Sequence, residues 1–324
     1  MENQIIAFKN VTISIIGATL FALLVLSNPL LAQQDTNDSL NFPTLTGAYF
    51  GQQPPGYTPE LFAPVVLVKP KQAHSNIVFS KDGTNAYWCY NGIWFSKIDN
   101  GRWGKPIKVP FSKEEFSDDA PFLSPDGKRL FFSSKRPMSE SDKSRKENIW
   151  VVEIEDDSWS DARLLPPVVN NMYQHWQVSV DSEGTLYFGH KLSDNSDKDI
   201  YYSRFEQGEY QTPEKLDDMI NSEYNEINPY ISPQGDYLIF TRLADKQDIS
   251  LFISFRLKND SWSQSVNLKK YLQFRHIANC PIVSQDGKYL FFLDAYEGEY
   301  QRFWINAEFL DSVKATHPEI ANFK

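Results

Sequence analysis

The 324-residue sequence contains only two cysteines, Cys89 and Cys280, so no disulfide framework can hold a chain of this length together. The sequence also has only 15 glycines and 19 prolines, which argues against a low-complexity protein. The net charge of −10 disfavours proteins that bind nucleic acid or anionic lipid through basic patches. An apolar fraction of 41% is enough for a substantial hydrophobic core, and this core, rather than disulfides, must stabilise the fold.

Several catalytic motifs are missing as well. The sequence has no G-x-S-x-G nucleophile elbow, no H-E-x-x-H metalloprotease helix and no glycine-rich phosphate loop. We therefore expect no cofactor, no metal and no nucleic-acid partner, and we favour a protein that is not an enzyme.

A long apolar run lies near the start of the sequence. Lys9 precedes it, residues 11–31 are almost wholly apolar, and Ala32 is followed by a polar run. This order predicts a secretory signal peptide over residues 1–32 and an exported protein, periplasmic or extracellular, without a membrane span after cleavage. An uncleaved anchor is the alternative, because such a run can span a bilayer.

One hairpin motif occurs five times in the sequence. In each copy a short apolar strand runs into a turn that ends in glycine, and a second apolar strand follows. A third strand with an aromatic residue comes next, and a fourth begins at Trp103, Trp159, Tyr210 and Trp262 in four of the copies. The turn glycines are Gly83, Gly127, Gly184, Gly235 and Gly287.

The fifth copy lacks a fourth strand. Residues 61–67, before the first copy, are similar in sequence to the fourth strand at residues 162–169. We expect this N-terminal strand to complete the last module, which closes a ring and leaves no exposed strand edge. The sequence thus predicts an all-β fold, a β-propeller of five four-stranded blades, with six blades as the alternative. The expected organisation is a signal peptide (1–32), a linker or strap (33–60), the propeller (61–315) and a tail (316–324).

The repeated F-x-S-P-D-G-K-x-L-F-F hairpin, clearest at residues 122–132, resembles the propeller repeat of TolB-like periplasmic proteins within the wider WD-type group. The resemblance covers residues 52–310. It implies the propeller fold and an exported bacterial protein, but propellers host lectins, scaffolds, hydrolases and lyases alike. Lys81, Gln234 and Gln285 depart from the repeat, as does the turn at 180–184.

In a propeller, the loops that enter the first strands and those that follow the second strands share one face, at the mouth of the channel. We name it the channel face and expect candidate binding residues there. Trp176 is expected in a loop over residues 171–177, as a platform for a sugar or peptide. The candidates are His74, Asp118, Asp119, Tyr173, His175, Trp176, His190, Glu226, Arg242, His276 and Asp294.

Structural roles are the main alternative for these residues. Asp118 and Glu226 can cap backbone N–H groups at the strand entry or pair with a neighbouring Arg. His175 and His190 can form a two-ligand metal site, although no third ligand is fixed by spacing. Cys89 and Cys280 are small buried side chains in one interpretation, and a single disulfide on the channel face in the other.

The sequence predicts a monomeric, non-catalytic module that binds a protein or a glycan through the channel face. The alternative is a carbohydrate-active enzyme, hydrolase or lyase, that uses Asp118, Glu226, His175 and Arg242. The geometry of the carboxylates separates the two: an open pair across a pocket favours the enzyme, and buried ion pairs favour binding.

Overall fold

The structure is a computed structural model that describes residues 42–64, 66–67, 73–139, 141–156, 158–171, 173–191, 197–244, 248–272, 277–296 and 299–316. The side chains of residues 173–175 and 296 are not part of that description. The predicted signal peptide, the first nine residues of the linker (33–41), nearly all of the tail and His276 lie outside the described residues.

The described strands form five antiparallel sheets, each with its first strand innermost, and they confirm the predicted five-bladed propeller. Blade 1 contains β2 (Val78–Phe79), β3 (Asn85–Cys89), β4 (Ile93–Asp99), β5 (Arg102–Trp103) and β6 (Ile107–Lys108). Blade 2 contains β7 (Asp119–Leu123), β8 (Arg129–Ser134), β9 (Asn148–Glu155), β10 (Ser158–Trp159) and β11 (Arg163–Leu164). Blade 3 contains β12 (Tyr173–Val180), β13 (Leu186–Lys191), β14 (Lys198–Ser203) and β17 (Glu214–Lys215).

The other two blades follow the same order. Blade 4 contains β18 (Asn225–Ile231), β19 (Tyr237–Leu243), β20 (Ile249–Phe255) and β21 (Val266–Asn267). Blade 5 contains β22 (Asn279–Val283), β23 (Tyr289–Tyr296), β24 (Glu299–Asn306) and β1 (Glu60–Leu61). A small hairpin, β15 (Phe205–Glu206) with β16 (Glu209–Tyr210), follows the third strand of blade 3.

Helical structure in the described residues is short. It comprises 3-10 turns at Tyr49–Gly51 and Glu114–Phe116 and the helices α1 (Pro167–Asn170), α2 (Lys269–Leu272) and α3 (Phe309–Ala315). Of these, α3 follows the last strand of blade 5. No helix in the described part of the chain has the length and apolar character needed to cross a membrane.

The recurring turn explains why each hairpin forms. In blade 2, the Gly127 N–H donates to the Ser124 carbonyl at 2.8 Å, and Gly127 has a φ of 72°, which favours glycine. The Ser124 hydroxyl donates to Asp126 at 2.5 Å, and it also accepts the Arg129 N–H at 3.0 Å. The Ser-x-Asp-Gly motif therefore forms a turn that is held by its own hydrogen bonds.

The third repeat uses this turn with a different residue. Asp181, rather than a serine, accepts the N–H groups of Glu183 and Thr185 through its carboxylate, and the Gly184 N–H donates to its carbonyl. The residue of this repeat that takes the place of the turn serine is therefore Asp181. In the strand pairing Gln174 lies opposite His190, as Glu226 lies opposite Arg242, so Gln174, and not Tyr173, corresponds to Glu226. His175 corresponds to Asp119.

The ring closes as predicted, with β1 as the fourth strand of blade 5. Glu60 and Leu61 pair with Trp304 and Phe303 of β24. The next residue, Phe62, is only 1% exposed and meets Phe79 of blade 1 and Phe291 of blade 5 edge to face. One side chain thus joins the two blades on either side of the closure.

Buried amides fill the axis where the inner strands converge. Gln177 Nε2 donates to the carbonyl of Pro281 at 2.9 Å, and Asn228 Nδ2 donates to Asn279 at 2.8 Å. Asn76 Nδ2 donates to the Cys280 carbonyl at 2.7 Å. These bonds connect blades 1, 3, 4 and 5, so the centre of the ring is a polar plug.

The closure predicts a large effect of Phe62→Ala on stability. Removing a fully buried aromatic ring costs about 3–5 kcal/mol in the free energy of unfolding, and urea denaturation measures it. Tyr57→Ala, at a position 63% exposed, is the control, and we expect a loss below about 1 kcal/mol there. Equal losses at the two positions would contradict this role of Phe62.

Candidate functional site

Asp118 stands at the entry to the first strand of blade 2 and is buried in an ion pair. Its Oδ2 accepts from Arg136 NH2 at 2.6 Å and from the Lys113 N–H at 2.9 Å. Arg136 follows the second strand of the same blade, and its guanidinium also lies 5.1 Å from the ring centres of Phe132 and Trp150. A carboxylate enclosed in this way is not available to a ligand.

Blade 4 repeats this arrangement with different residues. Arg242 Nε donates to Glu226 Oε1 at 2.6 Å, and Ser222 donates to the same carboxylate through its hydroxyl and its N–H. Arg242 also lies 4.2 Å from the ring centre of Phe252. Burial raises the pKa of Glu226, and the bonds from Ser222 and Arg242 oppose that rise. Asp118 and Glu226 therefore share a structural role.

Asp294 and His190 occupy matching positions near the ends of the second strands of blades 5 and 3. Asp294 Oδ1 accepts the Ile277 N–H at 3.1 Å, which satisfies a backbone donor at the entry to blade 5. His190 is buried, and its ring meets Tyr201 edge to face at 5.1 Å. Both side chains contribute to packing at the edge of the channel face.

Three other predicted residues are located only in part. His175 lies opposite Gly189 in the β12–β13 ladder, and Tyr173 lies opposite Lys191. The side chains of His175 and Tyr173, like the whole of His276, lie outside the described residues. In the described part of the chain no group of three or more His, Cys, Asp or Glu could hold a metal ion.

Cys89 and Cys280 are both buried and not joined by a disulfide. Cys89 Sγ donates to the Asp118 carbonyl at 3.3 Å, and Asn228 Nδ2 donates to Cys280 Sγ at 3.2 Å. Burial raises the pKa of both thiols, so neither is a ready nucleophile. The interpretation as small buried side chains is the one that the structure supports.

Trp176 is an exposed aromatic side chain of the channel face, with 42% of its surface accessible. It lies within strand β12 at the irregularity between His175 and Val178, not in a loop as the sequence suggested. Its φ of 57° is left-handed, which turns the side chain out of the regular alternation of the strand. The Lys198 ammonium lies 5.3 Å from its ring centre, a cation–π contact.

Glu147 and Lys198 accompany Trp176 and were missed in the sequence. Burial raises the pKa of the Glu147 carboxyl, the nearby Asp119 adds to this, and the Ser133 hydroxyl and Trp176 N–H oppose it. Burial also lowers the pKa of Lys198, helped by the charge of Lys191. Both are isolated polar residues in the sequence, and only the approach of blade 2 to blade 3 brings them together.

Asp119 links this group to blade 1. Its Oδ1 accepts from the Ser75 hydroxyl and from the Ala120 N–H, each at 2.6 Å. His74, the neighbour of Ser75, is exposed. We call the group around the exposed indole the Trp176 cluster, and its members are Asp119, Lys135, Glu147, Trp176, Lys191 and Lys198.

Solved structures share this fold. An endo-arabinase from Bacteroides thetaiotaomicron is 13% identical over 76% of this chain and 97% of its own length, with a TM-score of 0.50. A putative TolB from Agrobacterium tumefaciens is 17% identical over 69% of this chain and 70% of its own, with a TM-score of 0.45. TolB from Acinetobacter baumannii is 14% identical over 71% of this chain and 51% of its own, with a TM-score of 0.44.

Identities this low show the propeller fold alone. TolB-like propellers are thus among the structural neighbours of the chain. No protein-family model matches the sequence, and no curated protein is similar to it.

The ion pair in blade 2 predicts a large loss of stability for Arg136→Met. Because this change leaves Asp118 buried without its counter-ion, we expect the free energy of unfolding to fall by about 3–5 kcal/mol in urea titrations. Arg204→Met is the matched control, because the Arg204–Glu214 pair of 2.7 Å is about half exposed on both sides. A loss below about 1 kcal/mol is expected there.

Proposed function

We propose that this protein is an exported, monomeric and non-catalytic binding module that holds a glycan on its channel face, against the Trp176 cluster. The observation that carries the proposal is the exposed indole of Trp176, set among charged side chains on an otherwise well-packed face. An indole offers an apolar ring face together with an N–H donor, which suits the mixed apolar and hydroxylated surface of a sugar ring.

The charges of the cluster favour an acidic glycan. Lys135, Lys191 and Lys198 lie around it, against the carboxylates of Asp119 and Glu147. Because burial raises the pKa of Glu147, that carboxyl carries less negative charge than an exposed one in weak acid. Carboxylate groups on a uronic-acid polymer would complement the lysines.

The buried ion pairs support binding rather than catalysis. Asp118 and Glu226, the carboxylates on which the enzyme alternative was based, are each held by an arginine. Export is supported by the apolar run at residues 11–31, with Lys9 before it and Ala32 after it.

Binding to the cluster predicts a sharp effect of Trp176→Ala. We expect the affinity for an acidic polysaccharide found in a glycan-array screen to fall at least about tenfold, because the stacking surface is lost. Tyr57→Ala removes another exposed aromatic side chain and should leave the affinity unchanged. A screen in which no glycan binds, while an exported protein binds through Trp176, would replace the glycan by a protein partner.

A carbohydrate-active enzyme is the second candidate, with different residues from those first considered. The favouring observation is that Asp119 lies close enough to Glu147 to help raise the pKa of Glu147, and a pair of carboxyl groups is the usual acid and base of glycoside hydrolysis. In this account Glu147 is the general acid and Asp119 the base or nucleophile.

The two candidates differ in their dependence on pH. A general acid must be protonated, so turnover by Glu147 would decline as pH rises through its elevated pKa, and Glu147→Gln would abolish it. Reducing-sugar release from acidic polysaccharides between pH 4 and pH 8 measures this. The binding module predicts no release at any pH, and release that disappears in Glu147→Gln would establish the enzyme.

A further inference from the structure

A cavity lies away from the channel face, between the outer parts of blades 2 and 3. This outer cleft has a volume of about 440 Å³, within the range of small-molecule sites. Its apolar walls are formed by Phe131, Val151, Leu165, Val168 and Phe205. Its charged and polar side chains are those of Arg129, Arg163, Glu209 and Tyr210.

Tyr210 occupies a position that the repeats use for packing one blade on the one before it. The corresponding residues of blades 1 and 2 are Trp103 and Trp159, and both have a partner for the ring N–H. Trp103 Nε1 donates to the Gly47 carbonyl at 2.7 Å. Trp159 Nε1 donates to the Tyr87 hydroxyl of blade 1 at 3.2 Å.

The Tyr210 hydroxyl lacks a hydrogen-bond partner in the neighbouring blade because blade 2 has Phe131 at the position in question. Phe131 stands where blade 1 has Tyr87 and blade 3 has Tyr187, so it offers no hydroxyl. Tyr187 uses its own hydroxyl to accept from Arg256 NH2 at 2.8 Å. Tyr210 is only 9% exposed, and its hydroxyl has no hydrogen-bond partner among the described residues. The oxygen is open to the cleft, so water satisfies it there until a ligand takes the place of that water.

Two guanidinium groups accompany this hydroxyl. Burial raises the pKa of Tyr210 to about 12, and the charges of Arg129 and Arg163 oppose that rise, which places both arginines near the ring. Arg129 lies over Phe131 at 5.6 Å and has no ion pair in the described part of the chain. Arg163 has only a long, exposed contact with Glu153 at 3.6 Å. The lining of the cleft thus holds two guanidinium groups and one carboxylate, that of Glu209, so positive charge is in excess there.

We propose that the outer cleft binds a small carboxylate carried on an apolar body, such as a medium-chain fatty acid or an aryl acid. Arg129 and Arg163 would bind the carboxylate, and the Tyr210 hydroxyl would donate to it. The apolar body would lie against Phe131, Val151 and Phe205, where its burial adds to the affinity. This site is separate from the Trp176 cluster and requires no particular function of the channel face.

Isothermal titration calorimetry of the mature protein, residues 33–324, with decanoate tests the proposal. Saturable binding at one site is expected, with 1-decanol and decylamine at least about tenfold weaker because they lack the charge that the arginines pair with. Arg129→Gln and Arg163→Gln should each reduce decanoate affinity about tenfold. Arg204→Gln, in a different cleft, is the matched control and should have no effect.

Phe131→Tyr gives a second test without removing a charge. It restores the hydroxyl that Tyr87 supplies in blade 1, so Tyr210 gains an internal partner and decanoate affinity should fall severalfold. Circular dichroism confirms that the variants fold. The proposal is overturned if decanoate does not bind, if 1-decanol binds equally well, or if the two arginine variants bind decanoate like the wild type.

Discussion

Five sheets that converge on one axis bury the polar groups at their strand entries, and each of those groups needs a partner there. Blades 2 and 4 meet this requirement in the same way, with Asp118 bound to Arg136 and Glu226 bound to Arg242. In blade 5, Asp294 accepts a backbone N–H instead. The carboxylates that attract attention in the sequence are thus mainly consequences of the architecture.

The remainder of the axis follows from the same constraint. Gln177, Asn228 and Asn76 reach across the ring to carbonyl and amide groups of neighbouring blades. At that level buried amides bridge the axis. A ligand on the channel face must therefore bind at the rim, where Trp176 is exposed between blades 2 and 3.

Much of the fold could be predicted from the sequence because its determinants are local and repeated. The Ser124–Gly127 turn is complete within a few residues, and the missing fourth strand of the last blade pointed to the N-terminal strand that pairs with β24. The first strand of the third repeat was assigned incorrectly from the sequence, because Asp181 replaces the serine of the turn. The fourth strands are also shorter and later than expected, as at Ile107–Lys108.

The candidate site was harder to predict because its partners are distant in sequence. Arg242, near the end of the second strand of blade 4, was among the candidates, but Arg136, just after the second strand of blade 2, was not. Glu147 and Lys198 carry no motif and meet only through the packing of blade 2 on blade 3. Phe131 and Tyr210 looked like ordinary packing residues, and only the comparison with Tyr87 and Trp159 reveals an unpaired hydroxyl.

A double-mutant cycle on Asp118 and Arg136 tests most directly whether the strand-entry carboxylates are structural. Asp118→Leu and Arg136→Met are made singly and together, and unfolding is followed in urea. Each single change should cost about 3–5 kcal/mol, and the double variant should recover most of that loss, because an apolar pair can replace a buried ion pair. Single variants that unfold like the wild type, or losses that simply add, would contradict the account.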